Sequence, residues 1–189
     1  EILTTERTYV NNLKCLVDTL VMPLRRQHDP TSTERPLLSL DTIAVLFANV
    51  EEILSVNHTL LCALETRINK DEWSDRQLIG DILLRLIPFL KMYRHYTTNY
   101  EKAQVMLSDV MARNPAFVSY IKKWESEVPK VDMVPLLAYL ILPVQRIPRY
   151  NLLLRDLVKH TNADHPDYAN LQKILYSHII IVYLMSLLC

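Results

Sequence analysis

The chain has 189 residues with a single glycine, and its 21 basic side chains balance its 21 acidic ones. Glycine supplies the positive φ angles of most hairpin turns and the backbone of phosphate-binding loops. A single glycine therefore argues against an all-β fold and excludes a P-loop or a GxGxxG dinucleotide loop. The balanced charge does not favour a nucleic-acid partner, and a hydrophobic content of 50% indicates a globular rather than a disordered chain. The scarcity of glycine then predicts an all-α domain.

The first half of the chain shows helical periodicity interrupted by polar loops. Apolar residues recur at three- and four-residue spacing over about 1–27, where Pro23 is expected to kink the last turns. A loop follows at 28–36. Ser39 is then the expected N-cap of a second helix over about 40–69.

Further helices are predicted in the middle of the chain. The spacing of residues 74–77 matches a capping box for a third helix, which meets Pro88 and bends or resumes there. A helical stretch then runs to Arg113. Asn114 followed by Pro115 is the pattern of an N-cap and a first helical residue, so another helix begins there.

The last third continues this pattern without any segment that alternates as a strand would. Asp132 is the expected cap of a segment that Pro143 and Pro148 interrupt or bend. A turn at 162–166 leads to a last helix that begins near Asp167. Because the chain starts with Glu rather than Met, we expect it to be one domain, residues 1–189, of a longer protein.

The sequence lacks the familiar catalytic patterns. It contains no HExxH, CxxC or Gly-x-Ser-x-Gly motif. His160 and His165 are interpreted as solvated loop residues rather than metal ligands. Three scattered cysteines, Cys15, Cys62 and Cys189, indicate a reducing compartment and no disulfide framework. We therefore expect no metal, no cofactor and no bond-making enzyme.

Two blocks of sequence are more specific. Residues 3–13 read LTTERTYVNNL and residues 136–157 read LLAYLILPVQRIPRYNLLLRDL. They closely resemble, in order, the TExxYVxxL and LIxPVQRIxRYxLLLxxL blocks of the Dbl homology (DH) domain of Rho-family guanine nucleotide exchange factors. The resemblance extends to about Leu171.

The resemblance implies a fold and a mechanism. The fold is an elongated bundle of about six long α-helices in which the two blocks lie side by side and form one GTPase-binding surface. The partner is a Rho-family GTPase of Rac, Rho or Cdc type, bound preferentially without nucleotide. By displacing switch I and remodelling switch II, the domain would release GDP without any covalent step, acting as a regulator of the GTPase. Its implied location is cytoplasmic, with recruitment to the plasma membrane through flanking domains left open.

The resemblance also implies the contact residues. Glu6 matches the glutamate that anchors switch I, and Thr5 adjoins it. Gln145 and Arg149 match GTPase-facing positions of the long helix, and Leu153 continues their row. The alternatives are a surface ion pair for Glu6 and a core position for Leu153 or Arg149. Tyr150 and Arg146 are expected to brace the bundle, with Arg146 paired to a buried acid.

Two positions depart from the family pattern. Leu142 stands where many members have a GTPase-contacting lysine, and Ile179 falls where an asparagine is often found. Residues 174–189 carry no charged side chain. This end is interpreted as a buried terminal helix, the start of a membrane span, or the product of an altered reading frame or splice junction. The departures motivate an alternative function, a weak or inactive interaction module on the same fold, membrane-associated through 174–189.

Overall fold

The computed structural model describes residues 1–70, 77–85, 87–128 and 135–186, with the backbone alone at 69–70 and 178–186. In these ranges the chain is mainly α-helical and no strand occurs, as predicted. Of the helices in the described ranges, six have 13 or more residues, which agrees with the expected number of long helices. In chain order the helices are α1 (Ile2–Leu16), α2 (Met22–Arg26), α3 (Leu40–Phe47), α4 (Val50–Lys70), α5 (Gly80–Leu84), α6 (Leu90–Arg113), α7 (Pro115–Glu127), α8 (Leu136–Leu140), α9 (Leu142–Lys159) and α10 (Tyr168–Ser186).

The first helical segment contains a widened turn where a kink is expected. Helices α1 and α2 are joined by a π-helical stretch, Val17–Val21, that ends just before α2. Pro23 in the first turn of α2 has no N–H to donate, and its ring crowds the carbonyl four residues earlier. In a π turn each backbone hydrogen bond joins residues five apart instead of four. This wider turn accommodates the proline while the helix continues in the same direction.

The second predicted helix is divided into two. Ser39 caps α3 as expected, since its Oγ accepts a hydrogen bond from the Thr42 N–H at 3.1 Å. The helix stops at Ala48, whose φ of 43° is incompatible with α-helical geometry. The neighbouring Asn49 donates from Nδ2 to the Met92 carbonyl at 3.2 Å, which ties this corner to α6. A single helix over 40–69 is therefore incorrect.

A cap from the far end of the chain starts α5. Asp167 Oδ2 accepts hydrogen bonds from the Ile79 and Gly80 N–H groups, both at 2.7 Å. The predicted local cap at Ser74 lies outside the described residues. Gly80 is the chain's single glycine, and a Cβ there would overlap Asp167 Oδ1 and lie 2.8 Å from the Asn170 Cβ. The glycine thus permits a close approach between α5 and the start of α10.

Other boundaries follow the sequence signals. Asn114 caps α7 by accepting the Phe117 N–H at 3.0 Å. A turn at Ile141 separates α8 from α9, whereas Pro148 lies inside α9 without ending it. The proposed cap Asp132 lies outside the described residues. In the described ranges no helix is both long enough and apolar enough to span a bilayer.

Helices α1, α4, α6 and α9 enclose the centre of the bundle, and α10 packs along α9. The core joins apolar side chains from nearly every helix, so the two sequence blocks, 3–13 and 136–157, belong to one packed core. The largest fully buried side chains are Tyr93, Phe47, Phe117, Leu13, Leu16, Leu20, Leu24, Ile43, Leu46, Ile53, Leu64 and Leu90.

Candidate functional site

A surface groove with a volume of about 410 Å³ runs between α1 and α9. It brings together four of the predicted contact residues, one from the first sequence block and three from the second, although more than a hundred positions separate the blocks. The groove is lined by Thr4, Thr5, Thr8, Tyr9, Asn12, Leu142, Gln145, Arg146 and Arg149.

Helical spacing explains why these side chains share one groove. On α9, Leu142, Gln145 and Arg149 are three and four residues apart and therefore lie on one face. Gln145 and Arg149 are exposed, whereas Leu142 and Thr5 are half-buried. The groove offers amide, guanidinium and hydroxyl groups beside apolar surface, a combination typical of surfaces that bind other proteins.

An acidic residue that the sequence reasoning missed lies at the edge of the groove. The Glu1 carboxylate accepts a hydrogen bond from Arg149 Nη2 at 3.0 Å, and the two side chains are 63% and 50% exposed. Thr5 donates its N–H to the Glu1 carbonyl at 2.9 Å, so Glu1 begins the helical face that Thr5 continues. In the sequence, Glu1 lies four residues before Thr5, and this helical spacing already indicates that the two side chains share one face.

Glu6 does not lie on this surface. Its side chain is fully buried, accepts a hydrogen bond from Arg146 Nη2, and lies 2.7 Å from the Tyr150 hydroxyl. The prediction that Glu6 contacts a GTPase is therefore wrong, because a fully buried carboxylate cannot reach a partner. The expected pairing of Arg146 with a buried acid is confirmed, and that acid is Glu6.

The same polar cluster extends across the bundle centre. The Tyr150 hydroxyl is 2.8 Å from Asn57 Oδ1, and Asn57 donates from Nδ2 to the Tyr93 hydroxyl at 2.7 Å. Tyr93 and Tyr9 share a hydrogen bond of 3.1 Å between their hydroxyls. These groups link α1, α4, α6 and α9, so the polar centre fixes how the four helices face each other.

Burial changes the protonation properties of this cluster. Withdrawal from water raises the pKa of Glu6, and the attraction of Arg146 and the hydrogen bond from Tyr150 oppose that rise. Burial likewise raises the pKa of Tyr93 and Tyr150, which keeps their hydroxyls protonated. The Arg146 guanidinium lies 4.9 Å from the Tyr9 ring centroid and 4.4 Å from that of Tyr150, which favours its charged form.

Leu153, a further predicted contact, is nearly buried in the bundle. Leu153 is only 7% exposed, because it lies seven residues from Arg146 on the buried face of α9. Its predicted contact with a partner is therefore wrong. The neighbouring Leu152 is 62% exposed and continues the face of Gln145 and Arg149. The Ile179 side chain lies outside the described residues, so its contact remains a prediction.

Comparison with known proteins adds to this geometry. The model of the RhoGEF domain family matches residues 1–179. The chain belongs to the RhoGEF domain family. Among the described residues of this RhoGEF domain, no cluster of three or more His, Cys, Asp or Glu side chains is arranged to hold a metal ion.

Individual relatives agree with the family match. The RhoGEF domain is 32% identical over 175 residues to human FYVE, RhoGEF and PH domain-containing protein 2, covering 93% of this chain and 26% of that protein. It is 35% identical over 176 residues to mouse phosphatidylinositol 3,4,5-trisphosphate-dependent Rac exchanger 1 protein, covering 93% and 10%. The chain thus spans about a tenth to a quarter of these relatives.

A solved structure shares the fold. The chain superposes on the DH/PH domains of PDZ-RhoGEF, solved in complex with GTP-γ-S activated RhoA, with a TM-score of 0.84 and 17% sequence identity. This match covers 98% of the RhoGEF domain and 51% of that chain. The likeness establishes the helical architecture of the part that both share.

Proposed function

We propose that this RhoGEF domain is a guanine nucleotide exchange factor for a Rho-family GTPase and that the groove between α1 and α9 is its binding surface. The observation that carries the proposal is the meeting of Thr5 with Leu142, Gln145 and Arg149 in one groove. Relatives named as a RhoGEF protein and a Rac exchanger support the class of partner.

Exchange by this domain needs no covalent step. If the domain binds the nucleotide-free GTPase more tightly than the nucleotide-bound one, linkage requires that it weakens nucleotide binding by the same factor. The GTPase then releases GDP faster because the opened state is the one stabilised. The groove positions neutral and charged side chains against the GTPase surface, and the domain itself is not chemically changed.

We propose that Glu1, rather than Glu6, is the acidic group offered to the partner. Glu1 is exposed at the groove edge, whereas Glu6 is fully buried. In the free domain Glu1 pairs with Arg149 across α1 and α9. An exposed pair of this kind is worth only about 0–1 kcal/mol, so a partner can replace it at little cost.

A nucleotide-release assay tests the proposal. Rac-, Rho- and Cdc-type GTPases loaded with fluorescent GDP are mixed with the domain, and release is followed with excess unlabelled nucleotide. We expect accelerated release from at least one GTPase and binding to its nucleotide-free form. EDTA, which releases the nucleotide from every GTPase of the panel, is the positive control. If the domain neither accelerates release from any of these GTPases nor binds any of them without nucleotide, the proposal is refuted.

The alternative is an interaction module that binds without accelerating release. It is favoured by Leu142, which places an aliphatic side chain in the groove where many family members offer a lysine. The same assay separates the two functions. Stable binding to a GTPase with an unchanged release rate would support the module and contradict exchange activity. For either function we propose a cytoplasmic domain recruited to the plasma membrane by its neighbours.

A further inference from the structure

We propose that Glu6 is a positioning residue for nucleotide exchange, which acts through Arg146 on the shape of the groove without touching the GTPase. This inference rests on the proposed function, because it assigns a role within the same site. It replaces the direct contact expected from the sequence with an indirect one through the floor of the groove.

Arg146 belongs both to the groove and to the buried cluster. It lines the groove although only 5% of its side chain is exposed, so it forms part of the groove floor. Its guanidinium lies between the rings of Tyr9 and Tyr150 and donates from Nη2 to the Glu6 carboxylate. Tyr9 also lines the groove. Glu6 therefore holds two floor side chains, Arg146 directly and Tyr9 through the stacked guanidinium.

The arrangement fixes the rotation of α9 against α1. Arg146 and Tyr150 are four residues apart and point inward to Glu6, so Gln145 and Arg149, each one position away, turn outward together. A rotation of α9 that released Arg146 would move both exposed side chains relative to Thr5. Because catalytic or binding groups lose much of their effect when displaced by about 1 Å, this constraint bears directly on exchange.

The buried Glu6–Arg146 pair is not explained by a gain in folding stability. Glu6 Oε1 and Arg146 Nε are buried and have no hydrogen-bond partner among the described residues. Buried ion pairs of this kind are often no more stabilising than apolar side chains of the same volume. A planar guanidinium that is held by a carboxylate and two rings defines one orientation, which an aliphatic pair would not. We infer that its role is geometric.

The test compares stability with exchange in the chain 1–189. Glu6→Leu combined with Arg146→Met replaces the pair by apolar groups and is expected to keep the midpoint of urea unfolding at or above that of the unchanged domain. Maximal release at saturating domain is expected to fall about tenfold or more. Arg146→Lys keeps the charge without the planar fork and is expected to lose a comparable factor. Asp109→Asn, which removes a carboxylate from the exposed Arg113 pair, is the matched control and should retain full release.

A second readout needs no GTPase. Amide NMR signals of Asn12 and Arg149, which line the groove without adjoining either substituted residue in sequence, should shift in the Glu6→Leu/Arg146→Met variant and stay in place in Asp109→Asn. A stable double variant with full release, or with unshifted groove signals, would overturn the positioning role. If the double variant fails to fold, Arg146→Lys with full release and unshifted signals would overturn it equally. If the domain without substitutions accelerates no GTPase, the proposed exchange function is refuted. The NMR comparison then still tests whether Glu6 fixes the positions of the groove residues.

Discussion

Asp167 Oδ2 accepts the backbone N–H of Gly80 at 2.7 Å, and its other carboxylate oxygen occupies the space where a Cβ on that residue would lie. The single glycine of the chain therefore stands where α5 begins against the start of α10. This contact explains how a helix of five residues is held in the bundle without a local side-chain cap.

Gly80→Ala should destabilise the domain. The added methyl group would overlap Asp167 Oδ1, and overpacking of this kind costs about 1–3 kcal/mol. Urea unfolding followed by circular dichroism measures the loss. Asp167→Ala removes the cap and the overlap with the carboxylate but leaves the close contact with the Asn170 Cβ. Adding Gly80→Ala to it should therefore still destabilise, by less than in the original domain. Equal costs in the two backgrounds would show that the close approach does not exclude a side chain.

Ala48→Gly should stabilise the domain, in contrast to most glycine substitutions. Ala48 has a φ of 43°, a conformation that costs a non-glycine residue roughly 1–3 kcal/mol. The gain is reduced by the greater backbone entropy of glycine in the unfolded chain, which leaves about 1 kcal/mol. Ala112→Gly on the exposed side of α6 is the control and should destabilise by about 0.5–1 kcal/mol. A loss of stability in Ala48→Gly would contradict strain at this corner.

Arg146→Met should be among the most destabilising single changes in the groove region. It leaves the Glu6 carboxylate buried without its cation, and breaking one side of a buried pair costs about 3–5 kcal/mol. Arg149→Met removes a cation of the same type from an exposed pair and should cost about 0–1 kcal/mol. Thermal and urea unfolding of both variants give the comparison. Similar costs at the two positions would mean that the burial of Glu6 is not maintained in solution.

The pKa of Glu6 predicts the sign of a pH dependence. Because burial raises this pKa in the folded domain above the usual value of 4.5, the folded state holds the proton more tightly than the unfolded chain does. The contribution of Glu6 to stability is therefore complete below the unfolded pKa and declines as pH rises through the folded one. Unfolding free energies measured from about pH 4 to 7 should show the advantage of the unchanged domain over Glu6→Gln shrinking with pH. An advantage that grows with pH would mean that Arg146 outweighs burial.

Two helix caps could be predicted because their signals are local. Ser39 and Asn114 cap their helices through backbone groups three residues away, so sequence spacing suffices. The corner at Ala48 and the cap on α5 each involve a hydrogen bond between residues distant in the chain. Asn49 bonds to α6, and Asp167 reaches residues 79 and 80. No local pattern contains such contacts.

The site was predicted in part, and the errors have one cause. A match to a sequence block identifies residue types, whereas exposure depends on which helix face the bundle covers. Glu6 lies three residues before Tyr9 and seven before Leu13, in the apolar row that α1 buries. Leu153 similarly shares the buried row of Tyr150 on α9. The helical spacing could have corrected both assignments, since charge alone does not place a residue at the surface.

The most direct test of the central claim is GDP release by groove variants of the domain. Gln145→Ala and Arg149→Ala change exposed groove side chains and, in our account, reduce acceleration of the responsive GTPase about tenfold or more while unfolding as the original domain does. Arg113→Ala, at an exposed ion pair on α6 outside the groove, should leave release unchanged. Full acceleration by both groove variants, or an equal loss in Arg113→Ala, would contradict the assignment of the α1–α9 groove as the GTPase-binding surface.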